Sequence, residues 1–173
     1  MSRVFIRQAN KGDLAGLEWE GEYTHFRRLY ADTYLMVEQG KAVIWIAEAD
    51  GSGLVGQCFV SLKGSRPELS DGLTRAYIYG FRVRPQFRNH GIGTTIMRNL
   101  EEDLKKRGFQ QATLNVGKEN FNARRFYARL GYIIVGSDPG DWSYIDDKGK
   151  RRDMHEPAWR MLKNLGKMVC EVK

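Results

Sequence analysis

The sequence predicts an α/β fold, in which helices flank a mixed β-sheet. Two observations support this prediction. Segments rich in β-branched and aromatic residues, such as 43–47 and 77–83, are typical of buried strands. Other segments repeat apolar residues every four positions, as Ile96, Leu100 and Leu104 do, which is typical of an amphipathic helix. The length of 173 residues favours a single domain spanning residues 1–173.

The first half of the chain is predicted to form one strand, one helical region and a hairpin. Asn10, followed three residues later by Asp13, is typical of a helix start. The Asp50-Gly51-Ser52-Gly53 stretch is typical of a turn. The predicted elements are a strand at 4–7, a helical region at 11–36 with a break near Gly21, strands at 43–47 and 54–62, and a loop at 64–74.

The second half is predicted to alternate strands and helices before it ends in strands. Gly108 and Gly131 follow the last apolar positions of two helical segments, which is where helices commonly end. The predicted strands are 77–83, 112–116, 132–135, 142–145 and 159–162, with a hairpin turn at 146–149 and helices at 94–107 and 120–130.

The composition limits the class of protein. The net charge of +7, from 28 Lys and Arg against 21 Asp and Glu, indicates an anionic partner. The basic residues do not form one run, so binding to nucleic acid or to a membrane is not predicted. The chain contains no apolar run of about 18 residues. Its cysteines, Cys58 and Cys170, have no metal-site spacing, which favours a reduced, cytoplasmic environment and no bound metal.

A glycine-rich turn between a strand and a helix predicts an anion site. The first N–H groups of a helix lack internal partners, and Gly91 and Gly93 let an anion approach them closely. The NTPase phosphate loop would require a Lys that this turn does not contain. The dinucleotide fingerprint would require a glycine at position 96, which is Ile.

Two motifs instead resemble the GNAT superfamily of N-acetyltransferases. The first is Arg88-x-x-Gly91-x-Gly93, after a strand that ends in Val83. The second is Asn120-x-x-Ala-x-x-x-Tyr-x-x-x-Gly-Tyr132, with Tyr where the family pattern has Phe. The resemblance covers approximately residues 3–135 and implies a mostly antiparallel sheet, splayed between its fourth and fifth strands to admit acetyl-CoA.

The resemblance also implies the residues that bind this cosubstrate. Strand residues present backbone groups to the pantetheine arm, the loop surrounds the pyrophosphate, and Asn120 bonds the arm or its phosphate. Gly80, in the middle of the strand, is predicted to form a bulge that opens the sheet. The predicted cofactor-binding residues are Phe81, Arg82, Val83, Arg88, Asn89, His90, Gly91, Ile92, Gly93, Thr94, Asn120 and Tyr127.

The resemblance makes Tyr127 the candidate general acid, which protonates the departing thiolate. The family's usual Glu on the fourth strand is absent, because this strand offers Tyr77 and Tyr79. Glu22 is the candidate base. Glu18 and Glu20 lie in the same helical region, and Asp138, Asp141 and a water chain are alternatives.

The function predicted from these features is direct transfer of an acetyl group from acetyl-CoA to a primary amine of a small molecule or peptide. A non-catalytic acyl-CoA-binding module on the same fold is the alternative. The acidic residues near the expected cleft slightly favour a cationic acceptor. A homodimer is compatible with the sequence, which does not determine the oligomeric state.

Overall fold

The computed structural model describes residues 3–166 and confirms the mixed α/β fold. Seven strands form one sheet in the order β1-β2-β3-β4-β5-β9-β6, and β7 and β8 form a separate hairpin. Neighbouring strands are antiparallel, except that β4 and β5 are parallel. The strands are β1 Val4–Gln8, β2 Ala42–Ala49, β3 Gly53–Ser61, β4 Arg75–Val83, β5 Gln111–Gly117, β6 Ile133–Asp138, β7 Asp141–Ile145, β8 Arg151–His155 and β9 Ala158–Asn164.

Three α-helices accompany the sheet: α1 Arg27–Glu38, α2 Ile92–Lys106 and α3 Phe121–Arg129. The predicted helical region at 11–36 is α-helical only from Arg27, because Lys11–Gly21 and Thr24–Phe26 form 3₁₀ helices; its predicted break near Gly21 is confirmed. Trp19 and Glu20 have φ angles of 47° and 56°, and Gly21 has a φ of 107°. Three successive residues in the left-handed region interrupt any right-handed helix, so α1 begins only at Arg27.

The two faces of the sheet carry different layers. Side chains of α2, including Met97 and Leu100, pack on one face against Trp45 and Ile78. The opposite face packs against α1 and the 3₁₀ segments; its fully buried residues are Leu17, Tyr30, Ile44, Ile46 and Phe59. Burial of apolar side chains on both faces holds β2, β3 and β4 at the centre of the molecule.

The sheet opens between β4 and β5. Their parallel pairing runs from Arg75 and Gln111 to Ile78 and Leu114, after which β4 continues to Val83 and β5 to Gly117. Gly80 lies at the register shift between β3 and β4, with a φ of 61°. A Cβ at Gly80 would lie 2.8 Å from Cδ2 of Phe59, so glycine is required there. The predicted bulge is therefore confirmed.

The β7–β8 hairpin lies against the start of α1. The rings of Trp142 and Tyr144 contact Phe26, with centroid distances of 6.3 and 4.9 Å. The sequence predicted the first strand and the turn of this hairpin but did not single out the returning strand.

Cys58 is buried in β3, and Cys170 lies outside the described residues. Across residues 3–166, no helix is both long enough and apolar enough to cross a membrane.

Candidate functional site

The turn between β4 and α2 exposes a series of backbone N–H groups. Asn89 and Gly91 adopt left-handed conformations, with φ angles of 62° and 80°, and α2 begins at Ile92. The first helical bond runs from Thr95 N to Gly91 O over 3.0 Å. Among the described residues, the N–H groups of residues 89–94 therefore have no backbone acceptor, and the positive end of the helix dipole reinforces them.

The two glycines of this turn have different structural roles. A Cβ on Gly91 would meet no atom of the described chain within 4 Å, so the space outside the helix start is open. A Cβ on Gly93 would lie 2.9 Å from Cζ of Phe81. Gly93 therefore lets α2 approach β4, whereas Gly91 leaves room for an anion.

The side chains of this turn differ in exposure. Arg88, Asn89 and His90 are exposed, Thr94 is half-buried, and Ile92 is buried in the core. Arg88 Nε donates to the carbonyl oxygen of Val83 over 2.9 Å. A cavity of about 390 Å³ lies between the turn and β1; its lining includes Val4, Ile6, Phe87, His90 and Thr95.

The end of β4 presents backbone groups to the open gap. Arg84 N donates to Val55 O over 2.8 Å, and Arg82 pairs with Gln57. In an antiparallel pair, the backbone groups of successive residues point alternately towards and away from the neighbouring strand. Since the backbone groups of Arg82 face β3 and the peptide bonds are trans, the Phe81 carbonyl and the Val83 N–H point away from β3. The side chain of Arg82 lies on the opposite face from α2, so the structure does not bring it together with the loop residues.

Tyr127 lies on α3, with its ring 6.3 Å from that of Phe81 on β4. Its side chain is only 8% exposed, and its ring contacts those of Phe126 and Tyr132 at 5.3 and 6.0 Å. Burial raises the pKa of the Tyr127 hydroxyl far above its usual value, so the group keeps its proton at neutral pH. Asn120 caps α3, where its Oδ1 accepts from Ala123 N over 3.2 Å.

The candidate bases differ in their partners. Glu18 pairs with Arg27 at 2.8 Å, Glu20 pairs with Arg84 at 2.8 Å, and Asp141 pairs with His155. Glu22 is exposed, and the structure shows no hydrogen-bonded partner for its carboxylate among residues 3–166, although its backbone N–H donates to the Trp19 carbonyl oxygen.

Asp138 is held by two arginines. Arg66 and Arg160 donate to its Oδ2 at 2.8 and 2.9 Å, and the Gly140 N–H donates to Oδ1. Burial alone would raise the pKa of Asp138, but these donors outweigh burial and hold it well below the usual range. A carboxylate stabilised in this way is a weak base.

An aromatic wall on the α1 face was not identified from the sequence. Its members are Trp19, Tyr23, Phe26, Tyr30, Tyr77, Tyr79, Trp142 and Tyr144, several of which stack on one another. A signal was available, because the first four recur every three to four positions.

Among residues 3–166, no group of three or more His, Cys, Asp and Glu side chains is placed to hold a metal ion.

Comparison with known proteins gives concordant matches. The model of the acetyltransferase (GNAT) family matches residues 12–132. An uncharacterized N-acetyltransferase from Archaeoglobus fulgidus is 32% identical over 136 residues, covering 71% of this chain and 88% of that protein.

Two solved structures are similar in fold. The ribosomal-protein-S18-alanine N-acetyltransferase from Escherichia coli superposes with a TM-score of 0.71 at 17% identity, covering 99% of each chain. A putative acetyltransferase from Salmonella typhimurium, solved with its cofactor acetyl-CoA, has a TM-score of 0.69 at 16% identity and covers 96% of each chain.

Proposed function

The chain belongs to the GNAT family of acetyltransferases, and from this premise we propose that it moves the acetyl group of acetyl-CoA directly to a primary amine of a small molecule or peptide. The observation that carries the proposal is the gap between β4 and β5. Unpaired N–H groups lie in the turn that follows β4, and the ring of Tyr127, on α3, lies 6.3 Å from that of Phe81 on β4.

In this proposal the turn before α2 binds the pyrophosphate of acetyl-CoA. The N–H groups of Asn89, His90, Gly91, Ile92, Gly93 and Thr94 are available as donors. Arg88 holds the turn to the end of β4 and adds positive charge. The apolar surface of the adjoining cavity, which includes Phe87, is suited to the adenosine part.

The pantetheine arm follows β4 as an added strand would. The Phe81 carbonyl accepts from one amide N–H of the arm, and the Val83 N–H donates to an amide oxygen. Arg82 contributes to this edge only by holding β4 against β3, because its own backbone groups face Gln57. Asn120 contributes by beginning α3, which carries Tyr127.

The proposed reaction forms a C–N bond and breaks a C–S bond. The neutral amine attacks the thioester carbonyl, and the tetrahedral intermediate expels the CoA thiolate, which takes the proton of the Tyr127 hydroxyl. The proton lost by the amine passes to a base and restores Tyr127 through solvent. Glu22 is the candidate base, acting through a water chain, because its carboxylate is free of ion pairs within the described residues.

An acceptor panel tests this function against a non-catalytic acyl-CoA-binding module. Release of the CoA thiol from acetyl-CoA would be followed with and without each amine. The proposal expects release that depends on the amine and an acetylated product detected by mass spectrometry. A protein that binds acetyl-CoA in calorimetry but releases no thiol with any amine would support the binding module.

A homodimer is also proposed, and sedimentation velocity tests it.

A further inference from the structure

Arg82 is a half-buried cation that lacks a counter-ion in the described chain. Within residues 3–166 its guanidinium donates only to the hydroxyl of Tyr30 and forms no salt bridge. Two comparable arginines are paired: Arg84, with 14% of its side chain exposed, bonds Glu20, and Arg160, with 23% exposed, bonds Asp138. Because an enclosed charge is costly unless it is paired, the missing partner of Arg82 is expected to be an anion supplied by a ligand.

The surroundings of Arg82 hold its charge in place without neutralising it. Its Cζ lies 3.3 Å from the ring centroid of Tyr23 and 5.5 Å from that of Trp19. Such cation–π contacts recover part of the cost of desolvation. They leave Arg82 Nε buried without a hydrogen-bond acceptor among the described residues.

Two further polar atoms in this region lack partners. Trp19 Nε1 and Gln57 Oε1 are both buried and unpaired within residues 3–166. Gln57 is the cross-strand partner of Arg82, so their side chains lie on the same face, and its Nε2 donates to the Gly80 carbonyl at the bulge. Two donors, Arg82 Nε and Trp19 Nε1, and one acceptor, Gln57 Oε1, therefore lie unpaired near the β4 bulge within the described residues.

We infer that the acceptor is an α-amino acid, whose carboxylate binds Arg82 and whose amine faces Gln57 Oε1 beside the thioester; this inference rests on the proposed function. Arg82 Nε and Trp19 Nε1 match the acceptor oxygens of a carboxylate. Gln57 Oε1 matches an N–H of the amine, whose lone pair remains free to attack. In an α-amino acid these two groups are on the same carbon, which suits two adjacent positions on the sheet.

The rest of this face favours an apolar side chain on the amino acid. The rings of Tyr77 and Tyr79 stack at 5.5 Å, and those of Trp142 and Tyr144 at 5.4 Å. The expectation of a cationic acceptor is not supported, because Glu18, Glu20 and Asp138 are neutralised by arginines. A polyamine would meet the Arg82 charge at this point and would be repelled.

The test begins with the wild-type protein and matched acceptors. Phenylalanine, tryptophan, leucine and methionine would each be compared with their primary amides and decarboxylated amines. The rates would be corrected for the fraction of unprotonated amine. A charge-assisted bond predicts that kcat/KM for the best amino acid exceeds that of its two analogues by about 10- to 100-fold. This comparison needs no variant and is independent of folding defects.

The variant Arg82→Gln removes the charge and keeps much of the side-chain length. We expect the preference for amino acid over decarboxylated amine to fall towards one in Arg82→Gln and to be partly kept in Arg82→Lys. Arg84→Gln is the matched control, because the adjacent Arg84 already has its own carboxylate partner, and the preference should persist there. Circular dichroism and thermal denaturation would establish that each variant is folded.

The outcomes separate this inference from the function on which it rests. Amine-dependent turnover with equal kcat/KM for amino acids, amides and decarboxylated amines would overturn the inference and leave the acetyltransferase proposal standing. Turnover confined to polyamines or to peptides without a free α-carboxylate would do the same. Binding of acetyl-CoA without turnover of any amine would overturn both.

Discussion

Arg88 Nε bonds the carbonyl oxygen of Val83 over 2.9 Å, so the turn before α2 is held to the last residue of β4. This single contact links the proposed pyrophosphate site to the strand along which the pantetheine arm is proposed to lie. The surface proposed for the pyrophosphate and the surface proposed for the pantetheine arm are therefore held in a fixed relative position.

Replacing Arg88 by Met should weaken acetyl-CoA binding, because the tether and one positive charge are both lost. Loss of one charge-assisted bond predicts about a tenfold rise in Kd, measured by calorimetry. Arg98→Met is the control, since Arg98 is exposed on α2, the helix that follows this turn, and the change in net charge is identical. Equal Kd values for the two variants would contradict a specific role for Arg88.

Replacing Gly91 by Asn should weaken acetyl-CoA binding while it leaves the fold intact. Asn tolerates the left-handed φ of 80°, and its side chain enters the open space outside the helix start. We expect Kd to rise by about tenfold or more, which corresponds to about 1.4 kcal/mol.

Gly108→Asn is the matched control for Gly91→Asn. Gly108 follows the other end of α2 with a φ of 90°, and a Cβ there also meets no described atom within 4 Å. Its acetyl-CoA affinity should equal that of the wild type. Unchanged affinity in Gly91→Asn would place the pyrophosphate elsewhere.

Replacing Tyr127 by Phe separates acid catalysis from packing, because it removes the hydroxyl and keeps the ring. We expect kcat and kcat/KM to fall together by about 10²- to 10⁴-fold, with acetyl-CoA affinity little changed. Tyr132→Phe is a control, since the Tyr132 hydroxyl bonds Glu101 in the core. Full activity in Tyr127→Phe, with an intact circular dichroism spectrum, would show that the ring alone is needed.

Replacing Asp138 by Asn should destabilise the protein at neutral pH by about 1.5–3 kcal/mol, because Arg66 and Arg160, with 44% and 23% of their side chains exposed, lose the charge of a carboxylate that is only 2% exposed. The pKa of Asp138 is lower in the folded than in the unfolded protein. Its stabilisation is therefore fully present above the unfolded pKa of about 4 and is lost as the pH falls through the folded value.

Thermal denaturation of wild type and Asp138→Asn at pH 7, 4 and 3 checks this dependence. The difference in Tm should be largest at pH 7 and should shrink below pH 4. Asp153→Asn is the control: Asp153 pairs with Arg151 on the surface, where both side chains are more than two-thirds exposed. The Asp153→Asn substitution should change the free energy of unfolding by no more than about 1 kcal/mol at every pH. A Tm difference for Asp138→Asn that does not vary with pH would contradict the ion-pair account.

The sequence alone was sufficient for the features that depend on neighbouring residues. The helix after Gly93, the bulge at Gly80 and the hairpin of β2 and β3 were predicted because apolar periodicity, glycine and turn composition act over a few residues. The two motifs identified the family, which the comparisons confirm.

The tertiary structure decided the features that depend on residues distant in the chain. Two ion pairs join segments that are far apart in the chain: Arg84 with Glu20, and Arg66 with Asp138. The residues next to these acids in the sequence do not indicate that an arginine neutralises them. Likewise, β9 enters the sheet between β5 and β6, out of chain order. The family resemblance placed Arg82 among the cofactor-binding residues. Side chains alternate along a strand, and the pairing of β3 with β4 directs the Arg82 side chain towards the aromatic wall.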